Sequence, residues 1–182
     1  MKIIINVFLA AAMVFGLVAC DEKIENNANT QNTVANKATF LNDKLEISIP
    51  GYFKDQAGLL ENQTTGMTVY ADNVTQQTLT VFLSDAEGND VETLIEALAR
   101  QYQNRDSASK LVIKDVLALN LPVSAWRFDV ISRIQGKEMY SSIVMMVIDD
   151  QLVTIQFVLP NEAGNKPTEI VNDFIKTIQV KP

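Results

Sequence analysis

Residues 139–159 read MYSSIVMMVIDDQLVTIQFVL and give the strongest indication of the fold. Their two apolar runs are separated by Asp149-Asp150, a pair that is typical of a tight turn. Residues 143–148 are apolar at every position, so a strand formed by them would be apolar on both faces. Such a strand lies in the middle of a sheet that is covered on both sides. The stretch therefore predicts two neighbouring antiparallel strands at the centre of a sheet.

Further strands and two helices are predicted outward from this centre. The strands indicated by alternating or short apolar runs are 39–41, 45–49, 67–71, 79–83, 111–119 and one that begins near Trp126. Asp90 is the expected N-cap of a helix whose apolar residues recur at helical spacing up to residue 102. A second helix carries an apolar stripe over 170–178, with Pro167 in its first turn. The order predicts an α+β domain with a mostly antiparallel sheet layered between helices.

The N-terminus has the pattern of a bacterial lipoprotein signal. Lys2 precedes an apolar run, and Leu17-Val18-Ala19-Cys20 resembles a lipobox. In such a signal the peptide is cut before the cysteine, which carries diacylglycerol on its sulfur and can carry a fatty acid such as palmitate on its new amine. We therefore expect a signal peptide at 1–19 and lipidation of Cys20. The alternative is an uncleaved anchor, but the run over 3–19 lies at the bottom of the spanning range.

The residues after the cysteine bear on location. Asp21 and Glu22 resemble the sorting signal that keeps lipoproteins in the inner membrane of enteric-type bacteria. We expect a lipid-anchored protein of the inner membrane whose domain faces the periplasm, with the outer membrane as the alternative. Residues 20–37 are polar without periodicity and are predicted to form a lipidated, flexible tether. Residues 38–182 are then a single domain.

Composition excludes several classes of function. The chain has 15 Lys and Arg against 22 Asp and Glu, and this acidic excess argues against nucleic acid as a partner. It has no histidine, which removes the commonest general base and metal ligand. The single cysteine is not available as a nucleophile if it is lipidated. We therefore expect a non-catalytic protein without cofactor.

One group of charged residues is a candidate site for an anion or a partner. Arg127, Asp129 and Arg133 share one face of the strand that begins near Trp126. They could clamp an anionic group, but a solvated or ion-paired sheet face is the favoured interpretation. Trp126 lies in phase with the apolar residues of the opposite face, which favours a place in the core over stacking on a ligand.

Two other polar groups have side chains that could form a chemical site. Asp149-Asp150 could contribute to a hard-cation site, but the oxygen-rich loop of a calcium site is missing and a turn explains the pair. Ser141 and Ser142 would need a base to act as nucleophiles, and no histidine is present. The sequence therefore predicts neither a metal site nor a catalytic residue.

Several segments resemble the DcrB family of bacterial lipoproteins. They are the lipobox at Cys20-Asp21, residues 40–50, 55–58, 139–144 and 151–160, and the helix at 170–178. The resemblance implies the PsbP-like fold, which is shared with an extrinsic subunit of photosystem II and a eukaryotic binder of the GTPase Ran. One departure is Asn42-Asp43-Lys44, where the family prefers Asp-Gly, and it leaves the geometry of the first hairpin turn open.

The resemblance also implies a function. It points to a membrane-anchored accessory lipoprotein that supports envelope processes through a membrane-protein partner, including the adsorption or DNA entry of phages. The alternative is a periplasmic module that binds a small ligand or lipid between sheet and helices. A continuous exposed apolar patch would favour the first, and a cavity with convergent polar groups the second. The anchor favours the accessory role, and the oligomeric state stays open.

Overall fold

The computed structural model describes residues 35–56, 65–105, 108–117, 119, 121–162, 164 and 166–182. These residues form two antiparallel sheets and two helices. The strands are β1 (Asn36–Phe40), β2 (Leu45–Ile49), β3 (Lys54–Asp55), β4 (Met67–Asp72), β5 (Gln77–Asp85), β6 (Lys110–Val116), β7 (Ala125–Ile134), β8 (Lys137–Ile148), β9 (Gln151–Pro160) and β10 (Gln179–Val180). The helices are α1 (Val91–Arg105) and α2 (Pro167–Ile175).

The larger sheet has seven strands in the order β3-β4-β5-β9-β8-β7-β6. Its centre is the β8–β9 hairpin, in which Ile148 pairs with Gln151 across the turn. Asp149 and Asp150 both have positive φ, at 48° and 61°, as a two-residue turn that matches the twist of its strands requires. The predicted central hairpin and the mostly antiparallel sheet with two helices are confirmed.

Apolar side chains of the larger sheet enter two buried clusters. In β8, Ile143 and Met145 belong to a cluster with α1, whereas Val144 and Met146 belong to a cluster with α2 and the smaller sheet. Neighbouring residues of a strand point to opposite faces, so the two clusters lie on opposite sides of β8. Each fully buried side chain of this kind contributes about 1.5–3 kcal/mol, which explains why the middle strands are apolar throughout.

The smaller sheet has the order β1-β2-β10 and contributes to the same cluster as α2. The sequence indicated helix up to residue 178, but α2 ends at Ile175 and β10 follows. Thr177 closes the last turn, since its backbone N–H and its hydroxyl both donate to the carbonyl oxygen of Phe174. The chain can then turn and pair Val180 with Leu45 of β2. This pairing links residues distant in sequence, and no local pattern signals it.

The turn between β1 and β2 forms without the Asp-Gly pair that the family prefers. Leu41, Asn42 and Asp43 all have positive φ, between 53° and 65°. Asn and Asp tolerate this conformation better than other non-glycine residues. The hairpin closes, because Phe40 pairs with Leu45. The departure therefore changes the turn's chemistry and leaves the strand pairing in place.

The start of α1 also agrees with its sequence signal. The carboxylate of Asp90 accepts hydrogen bonds from the backbone N–H of Thr93 at 2.8 Å and from its hydroxyl at 2.6 Å. This is the geometry of an N-cap, and it lowers the pKa of Asp90. The predicted cap is confirmed.

Candidate functional site

A polar cluster lies within the apolar interior between the large sheet and α2. We call it the buried ion-pair cluster, and its members are Arg127, Asp129, Tyr140, Ser142 and Asn172. Asp129 is 0% exposed and Arg127 only 8%. Strand register assembles the cluster, because Asp129 of β7 stands directly opposite Ser142 of β8.

The carboxylate of Asp129 is the centre of this cluster. It accepts hydrogen bonds from Nε of Arg127 at 2.9 Å and from Nη2 at 2.5 Å. The hydroxyl of Ser142 donates at 2.6 Å, and the hydroxyl of Tyr140 donates to the second carboxylate oxygen. A buried carboxylate is tolerated only when it is paired and hydrogen-bonded in this way.

The same residues tie α2 to the sheet. Arg127 donates from Nη1 to the side-chain oxygen of Asn172 at 2.6 Å, and Thr168 donates to the hydroxyl oxygen of Tyr140 at 3.4 Å. Among the described residues, no buried side-chain nitrogen or oxygen lacks a hydrogen-bond partner. These hydrogen bonds therefore fix the position of α2 on the sheet.

Burial and pairing shift the titration of two cluster members. Burial raises the pKa of Tyr140 to about 12, and the hydrogen bond to Asp129 acts in the same direction. Burial opposes the charge of Arg127, but the hydrogen bonds and negative charge of Asp129 outweigh it and raise the pKa of the guanidinium. Both groups therefore keep their protons at neutral pH.

We predict a loss of stability at high pH that depends on Tyr140. The fold favours the neutral phenol, so its contribution is complete below pH 10 and is lost as the pH rises towards 12. The expected loss is about 2 kcal/mol, measured by urea unfolding at pH 9 and pH 11.5. In Tyr140→Phe this part of the pH dependence should disappear. An unchanged slope in the variant would contradict the prediction.

The structure brings together two of the three charged residues singled out in the sequence. Arg127 and Asp129 form the ion pair, whereas Arg133 is exposed near the end of β7, opposite Glu138, and is not part of the cluster. Cys20, Asp21 and Glu22 lie outside the described residues. The half-buried Trp126 packs against the cluster of α1.

Three cluster members were missed by sequence reasoning. Tyr140 and Ser142 are polar residues at alternate positions of an otherwise apolar strand, which was the available signal for polar partners on one face. Asn172 had no such signal, since it reaches the cluster only because α2 packs over it.

In the turn at Asp149, the carboxylate pairs with Lys44 at 2.5 Å. In the described part of the chain, no group of three or more His, Cys, Asp or Glu is placed to hold a metal.

A cleft of about 390 Å³ opens at one end of the large sheet. Its lining comes from the β4–β5 turn at 74–77, from Lys137, from Leu159 and Pro160 of β9, and from Glu162 and Ile170. Leu159 also pairs with Tyr140 in the β8–β9 register, so the cleft lies next to the buried ion-pair cluster. By size it falls within the range of small-molecule sites.

Hydrogen bonds hold the polar wall of the cleft. The carboxylate of Asp72 accepts from the backbone N–H of Val74 at 3.1 Å and of Thr75 at 3.2 Å. Lys137 donates from Nζ to the side-chain oxygen of Gln76 at 2.9 Å. Side-chain capping of this kind orders a turn before any ligand arrives. The wall is therefore preorganised.

No protein-family model matches the chain. The chain is 30% identical over 175 residues to the inner membrane lipoprotein DcrB of Shigella flexneri, and the match covers 93% of this chain and 94% of the relative. Within the described residues, no helix has the length and apolar character needed to cross a membrane.

Solved structures with the same architecture have low sequence identity. Cyanobacterial PsbP from Synechocystis has a TM-score of 0.60 at 8% identity, covering 87% of this chain and 99% of its own. The Ran-binding protein Mog1p of Saccharomyces cerevisiae has 0.56 at 10%, covering 82% and 96%. LpqN of Mycobacterium tuberculosis has 0.52 at 12%, covering 84% and 88%. These likenesses concern the fold alone, and they confirm the expected PsbP-like fold.

Proposed function

The chain belongs to the family of the inner membrane lipoprotein DcrB, and from this premise we propose that it is a non-catalytic accessory lipoprotein of the bacterial cell envelope. In this proposal Cys20 carries the lipid, Asp21 and Glu22 retain the protein in the inner membrane, and the domain faces the periplasm. It supports a membrane-protein partner there, including machinery that phages use for adsorption or DNA entry.

The observation that carries the proposal is the identity of 30% across 93% of the chain with a relative named as an inner membrane lipoprotein. The resemblance of residues 17–20 to a lipobox supports the same conclusion independently of that identity. The lack of histidine in the whole sequence supports a non-catalytic role.

The scaffold proposed for this role is layered, with the large sheet between α1 and α2. The two buried clusters support this arrangement, since α1 contributes to one and α2 to the other. In such a domain the rigid core leaves edges and turns for contact with partners.

One edge of the domain favours a protein partner. Among the described strands, β6 ends the seven-stranded sheet and pairs with β7 alone. It exposes Leu111, Val112 and Val116, which are 40–49% exposed. An open strand edge with exposed apolar side chains is a surface that proteins use for association.

The test is in-cell crosslinking with a photoreactive amino acid at Val112, followed by mass spectrometry of the adducts. We expect one dominant adduct with an inner-membrane protein. The same amino acid placed at Glu92, which is exposed in the first turn of α1, is the control for random neighbours. A diffuse set of neighbours at both positions would count against the accessory role.

Removing the lipid site should remove both attachment and function. We predict that Cys20→Ala does not incorporate labelled palmitate, loses the dominant adduct and fails to restore phage infection to a deletion strain. Several acyl chains make membrane attachment stable, whereas a single chain binds only marginally. Full complementation by an unlabelled Cys20→Ala protein would show that lipid anchoring is not part of the mechanism.

A second candidate function is a periplasmic module that binds a small ligand or lipid. The cleft beside α2 favours it, because its polar wall is preorganised by hydrogen bonds and its lining also includes the apolar residues Leu159, Pro160 and Ile170. The two functions are separable in the crosslinking experiment, since a ligand-binding module does not require a dominant protein adduct at β6.

A further inference from the structure

We propose that the cleft binds a zwitterionic group of the ethanolamine phosphate kind, with Lys137 facing the phosphate and Glu162 facing the ammonium. Such a group occurs in membrane lipids and as a free small molecule, and the two sources share the chemistry that the cleft recognises. The chemical assignment rests on the cleft alone. Only the preference for a lipid source rests on the membrane anchoring proposed above.

The cleft is lined by two side chains of opposite charge. Lys137 and Glu162 both line it and are both exposed. Within the described part of the chain, neither forms an ion pair, whereas Lys44, Lys114, Lys166 and Lys176 do. One cation and one anion on the walls of a single concavity are complementary to a molecule that carries both charges.

The remaining lining fits the body of such a molecule. The Nε2 amide of Gln76 can donate to ester or hydroxyl oxygens, while its side-chain oxygen orients Lys137. The hydroxyl of Thr75 already donates to Asp72, so its oxygen can only accept, from a hydroxyl of the ligand. The partly buried Ile170 of α2 offers apolar surface for methylene groups. A volume of about 390 Å³ is enough for a head group with its glycerol.

The path of the chain from β1 leads to the wall of the cleft. Asn36, near the start of the described chain, pairs with Ile49. Tyr52 lies three residues after Ile49, which is at most about 11 Å of chain. It donates its hydroxyl to Gln77 of the cleft wall at 3.3 Å. The first described strand is therefore connected to the cleft wall through β2 and Tyr52.

The length of chain before this point permits the cleft to meet the membrane. Residues 21–34 separate Cys20 from the described domain and could extend at most about 50 Å. An anchor at Cys20 thus allows the cleft to reach head groups of the same bilayer.

The test is a titration of the purified lipoprotein in detergent, followed by NMR of the backbone amides that line the cleft. The probe is glycerophosphoethanolamine, and glycerophosphoglycerol, which has no ammonium, is the comparison. We expect the first to shift the amides of 74–77, Lys137 and Glu162, and the second to bind at least tenfold more weakly.

Variants test whether each of the two charged side chains contributes to binding. Lys137→Gln and Glu162→Gln should each weaken binding of glycerophosphoethanolamine at least tenfold. Lys176→Gln and Glu92→Gln remove the same charges from exposed positions outside the cleft and should bind as the wild type does. Unshifted cleft amides, equal binding of both probes, or unchanged binding in Lys137→Gln and Glu162→Gln would overturn the proposal.

A competition experiment distinguishes a membrane lipid from a free small molecule as the ligand. If micelles doped with phosphatidylethanolamine prevent the soluble probe from binding, the cleft accepts the lipid itself. If they do not, while the soluble probe binds as expected, the site stands and its ligand is a free zwitterion. Since the titration is done in detergent, its failure leaves the anchoring proposal untouched, and failure of the Cys20→Ala labelling test leaves the cleft untouched.

Discussion

Replacing Asp129 with alanine is expected to lower the free energy of unfolding by about 3–5 kcal/mol, which is a large part of the stability of a domain this size. The carboxylate is fully buried and accepts hydrogen bonds from Arg127, Tyr140 and Ser142. Without it, the guanidinium of Arg127 stays buried with no opposite charge. Urea unfolding at pH 7, followed by circular dichroism, measures the loss.

A double variant separates the charge effect from the loss of packing. Arg127→Met combined with Asp129→Ala removes the uncompensated charge, and it should recover at least about 2 kcal/mol relative to Asp129→Ala alone. Arg133→Ala, on the same strand but exposed, is the control and should change stability by no more than about 0.5 kcal/mol. If Asp129→Ala were as mild as Arg133→Ala, the ion pair would not be a determinant of stability.

Replacing Gly66 with alanine is expected to cost at least about 3 kcal/mol, for a reason of backbone geometry. Gly66 has φ of 85°, and a Cβ built there would lie 2.3 Å from the carbonyl oxygen of Leu83. The two residues are also joined by a hydrogen bond from the backbone N–H of Leu83 to the carbonyl oxygen of Gly66, at 2.9 Å. The alanine would therefore force the start of β4 away from β5.

Gly136 provides the matched control. Its φ of 82° is nearly the same, but a Cβ there would meet nothing within 4 Å. Gly136→Ala should cost only the strain of the left-handed conformation, about 1–2 kcal/mol. Urea unfolding of both variants measures the difference. Equal losses would mean that φ, and not the contact with Leu83, sets the cost at Gly66.

Much of the fold could be predicted because its signals are local. The apolar run at 143–148 identified the middle of the sheet, and Asp149-Asp150 identified the turn that joins its two central strands. Asp90 marked the start of α1 through the chemistry of a helix cap. The two-residue strands β3 and β10 could not be predicted, because they are defined by distant partners and have no periodicity of their own.

The candidate site was only partly accessible from sequence. The alternation of β7 correctly put Arg127 and Asp129 on one face but also included Arg133, because a period of two extends along the whole strand. Only the tertiary structure separates them, since Arg127 and Asp129 are buried and Arg127 bonds to Asn172 of α2, whereas Arg133 is exposed. The cleft had no sequence signal, since its walls come from four separate parts of the chain.

The class of the domain, its central hairpin and its helix cap follow from the sequence alone, since each depends on the order and spacing of neighbouring residues. Three features come from the tertiary structure: Asp129 is a buried charge, Asn172 reaches its ion pair, and Lys137 and Glu162 share a cleft. Burial and the meeting of distant side chains depend on how the layers pack. Packing is a property of the whole chain and cannot be read from any one segment.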